Sequence, residues 1–442
     1  MASVQPDHTF DALVVGAGAG GLFTAARLAH AGYRTLVVER LDKVGGRAST
    51  TDIDGFKIND GAIVIERGTI TEETFAEVGA EFDVRAPEVP VLYRVGNKNL
   101  DVTRGGWGVL LSKLTRQGAK MVSGIGAART DDDALPGDEL TTAEWVRKYT
   151  KSEAAQGVFR NMCASIFAVS SDELPARVFL TYFTRKSAFK KFGFCPDGTI
   201  GVWESLAATI TRRGGQVWLS SDIQDLHVSE GRVTGATVNT PEGPVEVSCT
   251  VAVSNIGPAA TVGLVGADNL PETYREQVRV KDRPCSMLAL NFASQEPLVD
   301  IPGMLVFSVS KRLCYVANFT DSCPEMAPPG WHLYVAASVP KPAVGPFDEA
   351  AEIELLKEDL REHVPGFEAK ARVLSVNVMK DGWPPQRAVA GYDLSPETPI
   401  DNLWNVGDGV KEYASGGTTA CAETAKIVVD TVKSRFPLAA SV

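Results

Sequence analysis

The stretch Phe10-Asp11-Ala12-Leu13-Val14-Val15-Gly16-Ala17-Gly18-Ala19-Gly20-Gly21 decides the fold when it is read together with Thr35-Leu36-Val37-Val38-Glu39. Residues 13–15 are a short apolar run of the kind that fills a strand buried on both faces. Gly16 permits a tight turn, Gly18 lets a pyrophosphate approach the backbone, and Gly21 lets the next helix lie close on the sheet; Gly20 belongs to the same candidate cofactor site. Leu22, Ala25, Ala26 and Ala29 follow helical spacing, and Gly32 stands where a C-terminal cap belongs. The N–H groups at the helix start would face the phosphates, where the helix dipole contributes roughly 0.3–1 kcal/mol per charge. Glu39 lies at the spacing of about 20 residues from which a carboxylate accepts from ribose hydroxyls. Strand, glycine turn, helix, strand and acid together predict a Rossmann-like α/β unit that holds a dinucleotide, and so a redox enzyme.

The rest of the chain arranges itself around that unit. Just past Glu39, Arg40 leads to Gly45-Gly46-Arg47, a bare backbone followed by a guanidinium suited to phosphate. Asp60-Gly61 then turns into Ala62-Ile63 and a short buried segment. Near Pro196 a second block begins, with a helix expected over 203–213, ended by Gly214-Gly215. Short strands are expected over 217–219, 223–228, 233–238, 245–247 and 251–253. The far end repeats the opening logic. A strand over 403–406 runs into Gly407-Asp408-Gly409, and Gly416-Gly417-Thr418 opens a helix whose apolar face carries Cys421, Ala425, Val428, Val429 and Val432. A helix that starts on glycine offers its N–H groups to a negatively charged ring.

Two intervening regions have a different character. Helical patches are expected at 107–114 and 144–167, with an acidic loop at 129–138. Arg185, Lys186, Lys190 and Lys191 interleave with Phe183, Phe189, Phe192 and Phe194, a pattern that fits contact with an anionic membrane surface or a solvated helix face. Strands are expected over 287–292, 304–309, 313–319 and 332–338, and a helix over 350–363. The expected organisation is a discontinuous cofactor domain of residues 8–90, 195–275 and 375–442, with an inserted α+β substrate domain of residues 91–194 and 276–374.

At 442 residues the chain is long enough for more than one core, which agrees with that division. A net charge of −11 argues against nucleic acid as a partner, because such binding needs basic surface. The seven cysteines (163, 195, 249, 285, 314, 323, 421) form no Cys-x-x-Cys, so neither a zinc site nor a disulfide framework is indicated, and no metal is expected. Scattered thiols and the absence of a secretory pattern lead to the expectation of a cytoplasmic protein, with peripheral membrane contact through the basic-aromatic segment.

With these residues in place, the sequence resembles the FAD-dependent amine oxidase and phytoene desaturase superfamily, more the desaturase-and-isomerase branch than the amine oxidases. Gly16 to Gly21, Glu39, Gly45-Gly46-Arg47, Asp60-Gly61, the block 196–258 and Val406-Gly407-Asp408 carry the resemblance. It implies non-covalent FAD. Gly16, Gly18 and Gly21 would hold the pyrophosphate, and Glu39 the adenosine ribose. Arg47 and its glycine pair would line the phosphate and ribityl path, Ile223 would meet adenine through its backbone, and Asp408 the pyrophosphate or ribityl chain. Gly417 and Thr418 would start the helix that points at the flavin pyrimidine edge, and Tyr413 would stand near the ring. The implied function is an FAD oxidoreductase (desaturase, saturase or double-bond isomerase) acting on an apolar or amphipathic small molecule. The alternatives are a flavin amine oxidase, and an escort-type lipid-binding protein without redox work. The segment Gly416-Gly417-Thr418-Thr419-Ala420-Cys421-Ala422 departs from the pattern of the amine oxidases near the flavin.

Overall fold

The computed structural model describes residues 8–96, 98–101, 140–182 and 191–438. The helix expected at 107–114, the acidic loop at 129–138 and most of the basic-aromatic segment lie outside them.

The apolar run at the N-terminus becomes the strand Thr9–Val15, in the middle of a seven-stranded sheet. It pairs in parallel with Gly243–Ser254 on one side and Thr35–Val38 on the other, so that Val15 stands opposite both Ser254 and Val38. Gln216–Trp218 extends the parallel part beyond Thr35–Val38, and Leu403–Asn405 pairs in parallel with the end of Gly243–Ser254. The period of two then sorts the side chains. Ala12, Val14, Val37, Val253 and Trp404 face the helices Ala19–His30, Ile200–Arg212 and Gly417–Arg435. Leu13, Val15, Leu36, Val38 and Ala252 face the opposite way, into a cluster with Ile223, Val238 and Val265.

The strands expected separately at 245–247 and 251–253 are one continuous strand, Gly243–Ser254. Its first half pairs antiparallel with Arg232–Thr240, which pairs in turn with Asp222–Ser229. Its second half joins the parallel core. The change of neighbours near Ser248 explains the alternating exposure of the first half and the complete burial of residues 251–254.

The second sheet runs in the order Arg372–Met379, Met287–Ser294, His332–Ser338, Leu313–Asn318, Met304–Phe307, Val91–Val95 and Lys98–Leu100. Arg372–Met379 crosses the boundary expected at 375 and pairs along its length with Met287–Ser294, so this sheet extends to residue 379. Leu288, Leu290, Phe292, Leu305 and Val316 pack under the helix Glu349–His363 through Leu356 and Leu360. The alternate residues Ala289, Ala293, Val306, Tyr315, Ala317 and Ala337 face the other way, towards Phe159, Cys163 and Phe167 of the helix Glu153–Phe167. At the edge of the basic-aromatic segment, Lys191–Gly193 pairs with Ile65–Arg67, and Phe194 is fully buried.

Candidate active site: a nucleotide cradle closed by both ends of the chain

The glycine turn is built as a surface without side chains. Gly16 has φ of +92°, a conformation that glycine adopts without strain, and Gly18 caps the helix Ala19–His30. A Cβ added at Gly21 would collide with the Gly16 carbonyl oxygen, so this position must stay bare for the helix to sit where it does. Glu39 is buried at the end of Thr35–Val38. Its carboxylate accepts from Ala17 N at 2.7 Å and Leu41 N at 3.0 Å, which ties the acid to the glycine turn. Arg40 beside it is exposed. Ile223 is brought to the same end of the sheet, because Ser220 N and Ser221 N donate to the carbonyls of Leu41 and Glu39 at 2.8 Å.

Gly45 and Gly46 both have positive φ and run alongside the turn, with Gly45 N donating to Ala17 O at 2.8 Å. The second sequence block holds them there. Trp203 Nε1 donates to Ala48 O at 2.7 Å, and Thr199 Oγ1 donates to Ser49 O at 3.2 Å. Asp60 is held by Lys43 at 2.8 Å and by Thr51. Gly61 presses on the Arg47 carbonyl, Ala62 N donates to that carbonyl at 3.2 Å, and Ile63 enters the core beneath the second sheet.

Arg47 and Asp408, 361 positions apart, form a bidentate pair with distances of 2.9 and 2.6 Å. Arg47 also donates to Pro384 O, and Asp408 accepts from Arg387 N at 2.9 Å. Burial would raise the Asp408 pKa, but the charge and hydrogen bonds of Arg47, with Arg387 and Lys411 behind it, outweigh burial and hold it well below the usual carboxylate range. Burial and the Arg47 charge lower Arg387 to about 10. Lys411 is fully buried, 2.7 Å from Asp393, and donates to Ala388 O and Asp408 O. Gly407, at φ +103°, packs beside the Asn255 amide, which also lies against Gly18 and Gly20.

The helix Gly417–Arg435 begins at the expected glycine, with Thr418 donating to the Glu66 carboxylate at its mouth. Tyr413 is 37% exposed and lies under the Arg177 guanidinium at 5.5 Å. Sequence reasoning missed Glu66, Asn255, Arg387 and Lys411. None belongs to a local motif, and each acquires its place through a segment far away in the chain.

A turn stripped of side chains, a buried acid at its side, a second glycine pair and a guanidinium fit the phosphates and ribose of FAD. The family comparison agrees, since residues 19–432 match the model described as flavin containing amine oxidoreductase. The chain belongs to this family. Among its relatives, the phytoene dehydrogenase of Streptomyces griseus is 26% identical over 98% of this chain and 94% of its own length. The lycopene-forming phytoene desaturase of Pseudescherichia vulneris is 25% identical over 80% of this chain and 81% of its own. Among solved structures, an oxidoreductase from Methanosarcina mazei superposes with a TM-score of 0.81 at 26% identity, covering 95% of this chain and all of its own. Cyclohexylamine oxidase from Brevibacterium oxydans shares the fold, with a TM-score of 0.64 at 17% identity and coverage of 97% and 100%. The protein is therefore a flavin-dependent oxidoreductase of this amine oxidoreductase and phytoene desaturase group. Among the described residues, no helix is long and apolar enough to cross a membrane.

Proposed function

We propose that the protein binds FAD non-covalently and passes hydride between the flavin and a carbon of an apolar or amphipathic small molecule, which is thereby desaturated, saturated or shifted in its double bond. The observation that carries this reading is one continuous apolar cluster. It runs from Ile63, Met379 and Ala414, beside the cofactor cradle, to the inner face of the second sheet. FAD, when bound, supplies the two-electron chemistry; the chain's own residues supply orientation and a dry surface. Glu39, Arg47 and the glycine turn anchor the nucleotide, and the apolar cluster excludes water from the reacting carbon.

An amine substrate is supported less well. Such a site would need aromatic faces open to an ammonium group, yet Tyr413 and Tyr392 each carry an arginine over the ring, at 5.5 and 4.4 Å. A guanidinium there repels a second cation. Non-covalent attachment agrees with the cysteines, all of which are buried. Cys421, in the second turn of the last helix, has its thiol pushed up to about 12 by burial and by Asp408, so it is a poor nucleophile towards a flavin.

The test is anaerobic bleaching of the flavin by a panel of polyenes, amphipathic lipids and amines, after acid precipitation has released the cofactor from a parallel sample. Reduction by polyenes or lipids, with free FAD in the supernatant, is expected. Reduction by amines alone, with peroxide formed in air, would replace the proposal by amine oxidation. A rearranged product of unchanged oxidation state would select double-bond migration.

A further inference from the structure

The inner face of the second sheet carries two tyrosines that make no side-chain hydrogen bond among the described residues. Strand register places Tyr93 opposite Val306, Val306 opposite Tyr315, Tyr315 opposite Ala337 and Ala337 opposite Ala289. The five therefore form one row across the floor of the apolar cluster, with Tyr93 and Tyr315 two strand spacings apart, about 9.6 Å between Cα atoms. The row is otherwise small and aliphatic. Tyr93 is 8% exposed and Tyr315 is 6% exposed. Burial pushes the Tyr93 phenol up to about 12 and raises Tyr315 as well, with no hydrogen bond contributing to either.

Other buried or partly buried tyrosines of the fold have partners. Tyr33 donates to Phe436 O, Tyr334 accepts from Leu298 N, and Tyr274 accepts from Asn405. Tyr93 and Tyr315 have no hydrogen-bond partner among the described residues. A hydroxyl that meets no protein group adds nothing to packing, and a fold that needed only bulk at these positions would be served equally well by phenylalanine. The two hydroxyls lie in the same apolar cluster that begins beside the cofactor cradle.

We infer that Tyr93 and Tyr315 are hydrogen-bond donors for an oxygen-bearing group of the substrate, so that the protein selects an amphipathic molecule, with a hydroxyl or carbonyl on an apolar body, over a pure hydrocarbon. This rests on the reading of the apolar cluster as the substrate site. A hydrocarbon leaves both phenols unsatisfied, whereas a molecule carrying an acceptor satisfies at least one. Each neutral hydrogen bond made in this way is worth a factor of roughly 2 to 13 in affinity.

The experiment uses the full-length holoprotein with farnesol, geranylgeraniol and retinal as oxygenated probes and their parent hydrocarbons as controls. Binding is followed by tryptophan fluorescence, so that it does not depend on turnover. The oxygenated probes are expected to bind the wild type several-fold more tightly than the hydrocarbons. Tyr93→Phe and Tyr315→Phe each reduce that preference, and the double variant abolishes it while retaining FAD. The melting temperature without ligand supplies a second readout. Removal of an unsatisfied hydroxyl leaves it unchanged or raises it, whereas loss of a structural hydrogen bond lowers it. A wild type that binds no oxygenated probe more tightly than its hydrocarbon, or a fall in melting temperature in both variants, overturns the inference. Failure of the flavin to be reduced by any polyene or lipid, with the binding preference intact, would instead remove the proposed reaction and leave the tyrosines' role standing.

Discussion

At the scale of single residues, the energetic centre of the cradle is the pair of Arg47 and Asp408. Its side chains are 22% and 8% exposed. Replacing Asp408 by asparagine would leave the guanidinium buried against a neutral amide, and breaking one side of such a pair costs about 3 kcal/mol or more. Asp408→Asn should therefore lower the unfolding free energy in urea by about 3 kcal/mol, and an unchanged midpoint would show that the pair contributes nothing net. The same residue sets a pH dependence. Its folded pKa lies below the unfolded value of about 3.9, so the unfolded chain takes up the proton first as pH falls. The stabilisation is complete above roughly pH 5 and is lost as pH drops through 4 towards the folded pKa. Wild type and variant should accordingly converge in stability on the acid side, and a constant difference down to pH 2 would assign the pair's worth to packing rather than charge. Glu39 has a different character. Its bonds to Ala17 N and Leu41 N hold the turn as well as presenting the acid, so it supports the cradle's shape in addition to meeting a ribose.

At the scale of elements, legibility in the sequence followed locality. The glycine turn, the helix after it and the acid were readable because they lie within about one βαβ unit, where composition and period report on near neighbours. His332–Ser338 was likewise expected at its observed bounds, since its whole length is a central strand. Gly243–Ser254 reads as two short strands in sequence because Glu246, Ser248 and Thr250, exposed in the fold, interrupt its apolar pattern. Arg372–Met379 straddles the boundary expected at 375 because an edge strand, mostly half-buried, carries a weak apolar signal. Asp359 gives the sharpest case of an unreadable role. In sequence it is one acid among many on the helix Glu349–His363. In the fold it is 1% exposed and accepts from Lys311 N, Arg312 N and Leu313 N at 3.0, 2.6 and 2.8 Å, closing the turn before Leu313–Asn318. Asp359→Ala strands three backbone donors, that of Leu313 buried and those of Lys311 and Arg312 part-buried, and should cost about 3 kcal/mol in chemical unfolding, more than loss of the neighbouring Arg312–Glu352 pair. A cost below about 1 kcal/mol would mean that water replaces the carboxylate.

At the scale of the whole molecule, the cradle is assembled from segments that have no reason to meet early in folding. Gly16 to Gly21 and Arg47 come from one end of the chain, and Gly407, Asp408 and the start of Gly417–Arg435 from the other. The parallel pairing of Leu403–Asn405 with Gly243–Ser254 brings the second set to the first, and Asn255 wedges between Gly18, Gly20 and Gly407. A ligand that touches both sets binds only the assembled state, and it stabilises that state by mass action, about 2.7 kcal/mol when its concentration is a hundredfold above Kd. Added FAD should therefore raise the melting temperature of flavin-stripped protein in proportion to the logarithm of its concentration. Because the two sets are separate stretches, the location of the effect is as informative as its size. Amides of the turn around 16–21 and of the opening turn of the last helix around 417–421 should slow in hydrogen exchange together and by the same factor, while the helix Glu349–His363, remote from the cradle, should slow less. If FAD protects the first stretch and leaves the second unaltered, the closing helix does not meet the cofactor, and the flavin ring lies elsewhere than at Gly417 and Thr418.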